Sequence, residues 1–192
     1  MSVLEAEYFV ERGHFLGKNG HINGRLVKER ALNDPHILRN LVIQLCERTV
    51  EYSPSLIVGQ KNAGARLAAL VGAKIGVLSL QLNKPSVDTS VAPPRISLAP
   101  LHKERVVVVE DNVTTGRSIG QIKQSLSGYG ADPVAVVTLF NSGQATAERL
   151  GVLNFEALLD PEITCWPADT CIPCADGTPR SLGMLATHRT NG

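Results

Sequence analysis

Four consecutive valines, Val106, Val107, Val108 and Val109, run directly into Glu110 and Asp111, and no other stretch constrains the chain as strongly. A run of β-branched apolar residues without a polar face predicts a strand buried on both sides, as in the interior of a parallel sheet. Parallel neighbours need long right-handed crossovers, usually helical. The flanking sequence supplies that alternation. Residues 55–59, 77–82, 133–140 and 154–159 read as further strands. Residues 63–76, 118–129 and 145–150 read as the helices between them, with Gly130 as a stop. The expected fold class is therefore α/β, an open and mostly parallel five-stranded sheet flanked by helices.

Upstream, Asp34 and Pro35 form an N-cap followed by proline at the first helical position. Ile37, Leu38, Leu41, Val42, Leu45 and Cys46 follow at helical spacing. Residues 4–12 read as a short helix stopped by Gly13, and residues 13–33 as short strands and turns. The four prolines within 83–104 predict a long loop with a short edge strand near 95–98. From Pro161 onward periodicity fades.

The 192 residues suit one domain, and 43% hydrophobic residues suffice for a core. A formal net charge of +1 gives no broad field for nucleic acid or an anionic membrane, so an anion site must be local. No apolar stretch approaches the roughly 20 residues that span a bilayer, and the first residues lack the basic and apolar regions of a signal peptide. A cytoplasmic protein without nucleic-acid or membrane partners is expected. Of the four cysteines, Cys46 reads as a small buried hydrophobe. Cys165, Cys171 and Cys174 offer one Cys-x-x-Cys, with His188 a distant fourth ligand for zinc. A structural site normally needs four ligands, so stray thiols are the default expectation.

The chemistry concentrates after the valines, in Glu110-Asp111-Asn112-Val113-Thr114-Thr115-Gly116-Arg117-Ser118. Ligands of open α/β sheets bind at the carboxyl ends of strands. A helix start there offers free N–H groups and a positive dipole end, which suit phosphate. Thr114, Thr115 and Ser118 add hydroxyls, and Gly116 permits close backbone approach. Glu110 and Asp111 would repel phosphate. They suit the hydroxyls of a sugar or the water shell of Mg²⁺. An acid pair beside a phosphate cradle reads as a site for a sugar phosphate. A turn followed by an ordinary helix cap is the bland alternative.

This run resembles the signature with which type I phosphoribosyltransferases bind 5-phosphoribosyl-1-pyrophosphate (PRPP). The resemblance implies that Glu110 and Asp111 contact the ribose hydroxyls, with Asp111 taking part in catalysis, and that Thr114, Thr115, Gly116, Arg117 and Ser118 hold the 5-phosphate. Gln60, Lys61, Asn62, Ala63 and Gly64 resemble the family's pyrophosphate loop. Residues 13–21 resemble the base-binding segment of the orotate branch, which would give Phe15, Lys18, Asn19 and Gly20 to the base. Asn141 stands where many members place an arginine against orotate. Residues 83–95 correspond to the mobile catalytic loop, without its histidine, leaving Lys84 as the loop residue aimed at the leaving group. The resemblance further implies one domain over 1–192, with a PRPP-binding core at 55–159 and a small hood made of 1–33 and 161–192. It implies Mg²⁺, a homodimer, and transfer of phosphoribose to a nitrogenous base as in pyrimidine nucleotide synthesis. Another acceptor base, or a PRPP-binding regulator without turnover, are the alternatives.

Overall fold

The structure, a computed structural model, describes residues 6–17, 20–60, 62–82, 101 and 103–181. Five parallel strands form its main sheet in the order β4-β3-β5-β6-β7, with β3 at Leu56–Gln60, β4 at Leu78–Leu82, β5 at Val106–Asn112, β6 at Pro133–Phe140 and β7 at Phe155–Leu159. The valine strand β5 is central. Its register pairs Val106, Val107 and Val108 with Leu56, Ile57 and Val58 of β3, and Val108 and Val109 with Val136 and Val137 of β6.

Because side chains alternate along a strand, the valines feed two cores. Val107 and Val109 pack with Leu41, Leu45, Leu67 and Val71, which come from α2 (Pro35–Val50) and α3 (Ala63–Ile75). Val106 and Val108 pack on the other face with Ile119, Ile122 and Leu126 of α4 (Arg117–Ser127). All four valines are fully buried, each a gain of roughly 1.5–3 kcal/mol over exposure. The α2 start follows its sequence signal, since Asp34 accepts hydrogen bonds from the His36 and Ile37 N–H groups.

A second, three-stranded antiparallel sheet is ordered β1-β2-β8: β1 is Val10–Gly17, β2 is Gly20–Leu26 and β8 is Cys165–Trp166. Here the local reading needs correction. The expected helix over 4–12 is helical only at Ala6 and Glu7 among the described residues, because Val10 pairs with Leu26 and opens the hairpin. Residues 13–33, read as strands and turns, end in a helical turn, α1 (Glu29–Leu32). The tail is less irregular than expected. It contributes β8, a 3-10 turn at Ala168–Thr170 and a helical turn, α6 (Ile172–Ala175), while α5 (Ala147–Leu150) precedes β7. The suggested edge strand at 95–98, and most of the 83–104 loop, lie outside the described residues. Among the described residues no helix is long and apolar enough to cross a membrane.

Candidate active site

The carboxyl ends of β3 and β5 lie side by side, and the acid pair joins their loops. Glu110 is 5% exposed. It accepts a hydrogen bond from the Gln60 backbone N–H at 2.7 Å, and its own carbonyl accepts from the Thr138 hydroxyl at 3.1 Å. Its carboxylate lies flat against Gly64: a Cβ there would come within 2.6 Å of both carboxylate oxygens. Burial raises the Glu110 carboxyl to about 7, aided by the Asp111 charge and opposed by the Gln60 N–H. Desolvation of the charged form is the dominant cause.

Asp111 Oδ2 pairs with Lys28 Nζ at 2.6 Å. The Asp111 side chain is 12% exposed and the Lys28 side chain 42%, so the pair sits at the rim of the sheet and not in its core. Lys28 follows β2 and ties the small sheet to the main one. Sequence reading missed it, since a lone basic residue after a hairpin carries no pattern of its own.

Beyond Asp111 the loop is braced from beneath. Ser142 donates to Asn112 Oδ1 through its hydroxyl at 2.9 Å and its backbone N–H at 3.2 Å, and Asn112 Nδ2 donates to Thr114 Oγ1 at 3.2 Å. Thr114, Thr115 and Arg117 are exposed, while Gly116 and Ser118 are half-buried. Gly116 caps α4 with φ 77 and ψ 1, and no side chain caps the helix. A Cβ on Gly116 would lie 2.5 Å from Leu150. The first-turn N–H groups and the threonine hydroxyls thus share one exposed corner, the arrangement that receives phosphate.

The opposing loop has its own signature. Asn62 adopts φ 71 and ψ −112 at the start of α3, again without a side-chain cap. A non-glycine residue held there stores backbone strain of the kind that collects at ligand clamps. Asn62 is exposed, Ala63 half-buried and Gly64 buried. Lys61 lies outside the described residues.

Of the expected base-side residues, Phe15, Gly20 and Asn141 lie within the described residues. Phe15 is 5% exposed and packs inside the small sheet, with the Arg25 guanidinium 5.7 Å from its ring centroid. Gly20 pairs with Gly17 and lies against the Trp166 carbonyl. Asn141 is buried, and both ends of its amide are committed. Nδ2 donates to Ala145 O at 3.1 Å and to Asp160 Oδ1 at 2.9 Å, and Oδ1 accepts from the Ala145 N–H at 2.7 Å. It staples the turn after β6. Lys18, Asn19 and Lys84 lie outside the described residues.

The acid pair thus ends the central strand beside an open helix start and across from a strained loop, at the carboxyl edge of an open α/β sheet. No family model matches the chain. Individual proteins do. Orotate phosphoribosyltransferase of Desulforamulus reducens is 29% identical over 168 residues, covering 87% of this chain and 85% of the relative. The transcriptional regulator GfcR of Methanoculleus marisnigri is 35% identical over 98 residues, 49% of this chain and 48% of the relative. The same fold occurs in orotate phosphoribosyltransferase from Aeropyrum pernix, with TM-score 0.64 and 23% identity over 81% of this chain and 92% of that one. It occurs also in adenine phosphoribosyltransferase from Thermoanaerobacter pseudethanolicus, with TM-score 0.65 and 15% identity over 83% and 99%. In sequence and in fold the chain is similar to type I phosphoribosyltransferases, which are glycosyltransferases.

Proposed function

We propose that this protein transfers the 5-phosphoribosyl group of PRPP to a ring nitrogen of a base, with orotate as the acceptor, and releases pyrophosphate. The observation that carries the reading is the Glu110–Asp111 pair set directly before the open start of α4. Ribose hydroxyls donate to the two carboxylates, while the 5-phosphate takes the N–H groups and hydroxyls of Thr114, Thr115, Gly116 and Ser118, with Arg117 adding charge. The β3–α3 loop, through Lys61 and the amides around Asn62, receives the pyrophosphate. A C1–N bond forms as the C1–O bond to pyrophosphate breaks, and charge placement stabilises the oxocarbenium-like transition state. The same resemblance assigns Lys84, within 83–95, to the leaving group and Lys18 and Asn19 to the base, all outside the described residues.

Mg²⁺ fits this site through substrate oxygens and water. Asp111 already faces Lys28, and Glu110 already accepts the Gln60 N–H. That leaves too few free oxygens for a cage made of protein alone. When bound, the ion neutralises charge on the pyrophosphate. Asp111, backed by Lys28, holds the ribose and the ion's water shell.

Orotate is favoured by relatives of that name at 26–29% identity over most of the chain. The test is PRPP- and Mg²⁺-dependent loss of orotate absorbance with equimolar pyrophosphate release, run beside a panel of other bases including adenine. Loss of turnover in Asp111→Asn is expected; turnover of a different base alone would reassign the acceptor. The match to a transcriptional regulator over half the chain supports one second reading, a PRPP-binding regulator. Calorimetric PRPP binding with no pyrophosphate released from any base would select it. The reading also makes the protein a cytoplasmic homodimer, a state that light scattering on the purified chain measures.

A further inference from the structure

The small sheet holds four side chains whose chemistry the transfer reaction does not use. His14 of β1, His21 of β2, and Cys171 and Cys174 at the tail helical turn α6 place one donor atom each within 4.8 Å of one another. His14 Nε2 lies 2.9 Å from His21 Nδ1, 3.4 Å from Cys171 Sγ and 3.6 Å from Cys174 Sγ, and Cys174 Sγ lies 3.1 Å from His21 Nδ1. His14, His21 and Cys171 are buried, and both cysteines are free thiols. We propose that these four side chains bind one Zn²⁺ as a tetrahedral structural site, Cys₂His₂ in donor type.

The spacing fits the ion. Zinc with nitrogen at ~2.0 Å and sulfur at ~2.3 Å in a tetrahedron needs donor atoms roughly 3.3–3.8 Å apart. The four contacts of 2.9–3.6 Å reach that range with movements of a few tenths of an ångström, and the remaining pairs, within 4.8 Å, close to it with a shift of about an ångström. A second observation fixes the ligand atom. His14 Nδ1 lies 3.1 Å from the Thr178 carbonyl oxygen, which can only accept, so Nδ1 carries the proton and Nε2 presents its lone pair to the cluster. That is the outer-shell contact with which a metal-bound histidine is oriented. Coordination displaces the two thiol protons to solvent, and two thiolates then balance the charge of the ion, so the buried site is neutral.

The local fold is arranged around the cluster. The β1–β2 register shifts between Arg12 and Phe15, and this bulge lets the adjacent His14 and Phe15 both point inward. Among the described residues, none of 10–25 or 160–181 belongs to either hydrophobic core. A sheet this small, lacking such a core, is the kind of unit that metal ligation stabilises. The ligand set differs from the one suggested by cysteine spacing. Cys165 sits in β8 opposite Ile22, is exposed and is not in the cluster, while His188 lies outside the described residues.

The test uses the full chain, purified under reducing conditions, with metals measured by plasma mass spectrometry and by Co²⁺ substitution. One zinc per chain is expected, and Co²⁺ should give tetrahedral visible bands with thiolate-to-cobalt charge transfer. Cys165→Ser should retain all of the metal. Cys174→Ser, at the exposed ligand, should weaken zinc at least about tenfold and reduce the charge-transfer band. A reduced chain that carries no zinc and takes up no cobalt overturns the site, as does loss of the metal in Cys165→Ser. Neither readout requires turnover, so the outcome is independent of the proposed reaction.

Discussion

The Gln60 backbone N–H donates to Glu110 Oε1 at 2.7 Å, which makes the loop after β3 and the end of β5 one mechanical unit. A ligand that moves either loop must act on both.

The first prediction concerns pH. The Glu110 carboxyl titrates near 7 in the folded protein, raised by burial from an ordinary value of 4.5. Between these values the folded chain holds a proton that the unfolded chain has released. The associated stability is fully present below the lower value and is lost as pH rises through the upper one, on the order of 3 kcal/mol in all. Glu110→Gln keeps an oxygen for the Gln60 N–H but cannot ionise. Urea unfolding of the ligand-free protein between about pH 5 and pH 8 should show wild type losing stability relative to the variant. The opposite slope would contradict the buried-acid account.

Gly64→Ala tests the contact between the loops. Its new methyl would meet both Glu110 oxygens at 2.6 Å, so the carboxylate or the loop must move. A stability loss of about 1–3 kcal/mol is expected, together with at least roughly tenfold weaker PRPP binding by calorimetry, equivalent to about 1.4 kcal/mol. Unchanged PRPP affinity would detach this loop from the site.

Lys28→Ala separates stability from binding. Its charge partner lies at the rim with Lys28 itself 42% exposed, so the pair should contribute less than about 1 kcal/mol to folding. Without that ammonium, two carboxylates face an incoming polyanion, and PRPP affinity should fall roughly tenfold with a smaller salt effect. A large change in the urea midpoint with intact PRPP binding would reverse this assignment.

Asn141→Ala should act on the fold and not on base choice. It cuts the bonds to Ala145 and Asp160, at a cost of about 1–3 kcal/mol for buried groups left unpaired. Ratios of kcat/KM among acceptor bases should stay constant. A changed ratio would return Asn141 to the base site.

What the sequence disclosed follows from the range of the interactions involved. The valine strand, the Asp34-Pro35 helix start and the 110–118 loop are specified by neighbours within a dozen residues, and all three appear where local pattern places them. The Lys28–Asp111 pair spans 83 residues and the His14–Cys171 contact 157. No periodicity links such positions, so neither was legible. β1 looks helical in local pattern for a related reason: its helix-like residues are captured by pairing with β2. Asn141 stands where the family resemblance places an arginine, and its amide reaches its own turn.

The small sheet is assembled from opposite ends of the sequence, with the tail strand β8 laid on a hairpin that precedes the whole parallel core. Closing a contact of that separation is entropically slow compared with the strand–helix neighbours of the main sheet. The 110–118 corner, built on the parallel core, can therefore form early, whereas the small sheet waits for β8 to be added to its hairpin. Folding of this protein should have two stages, the parallel core first and the three-stranded sheet afterwards.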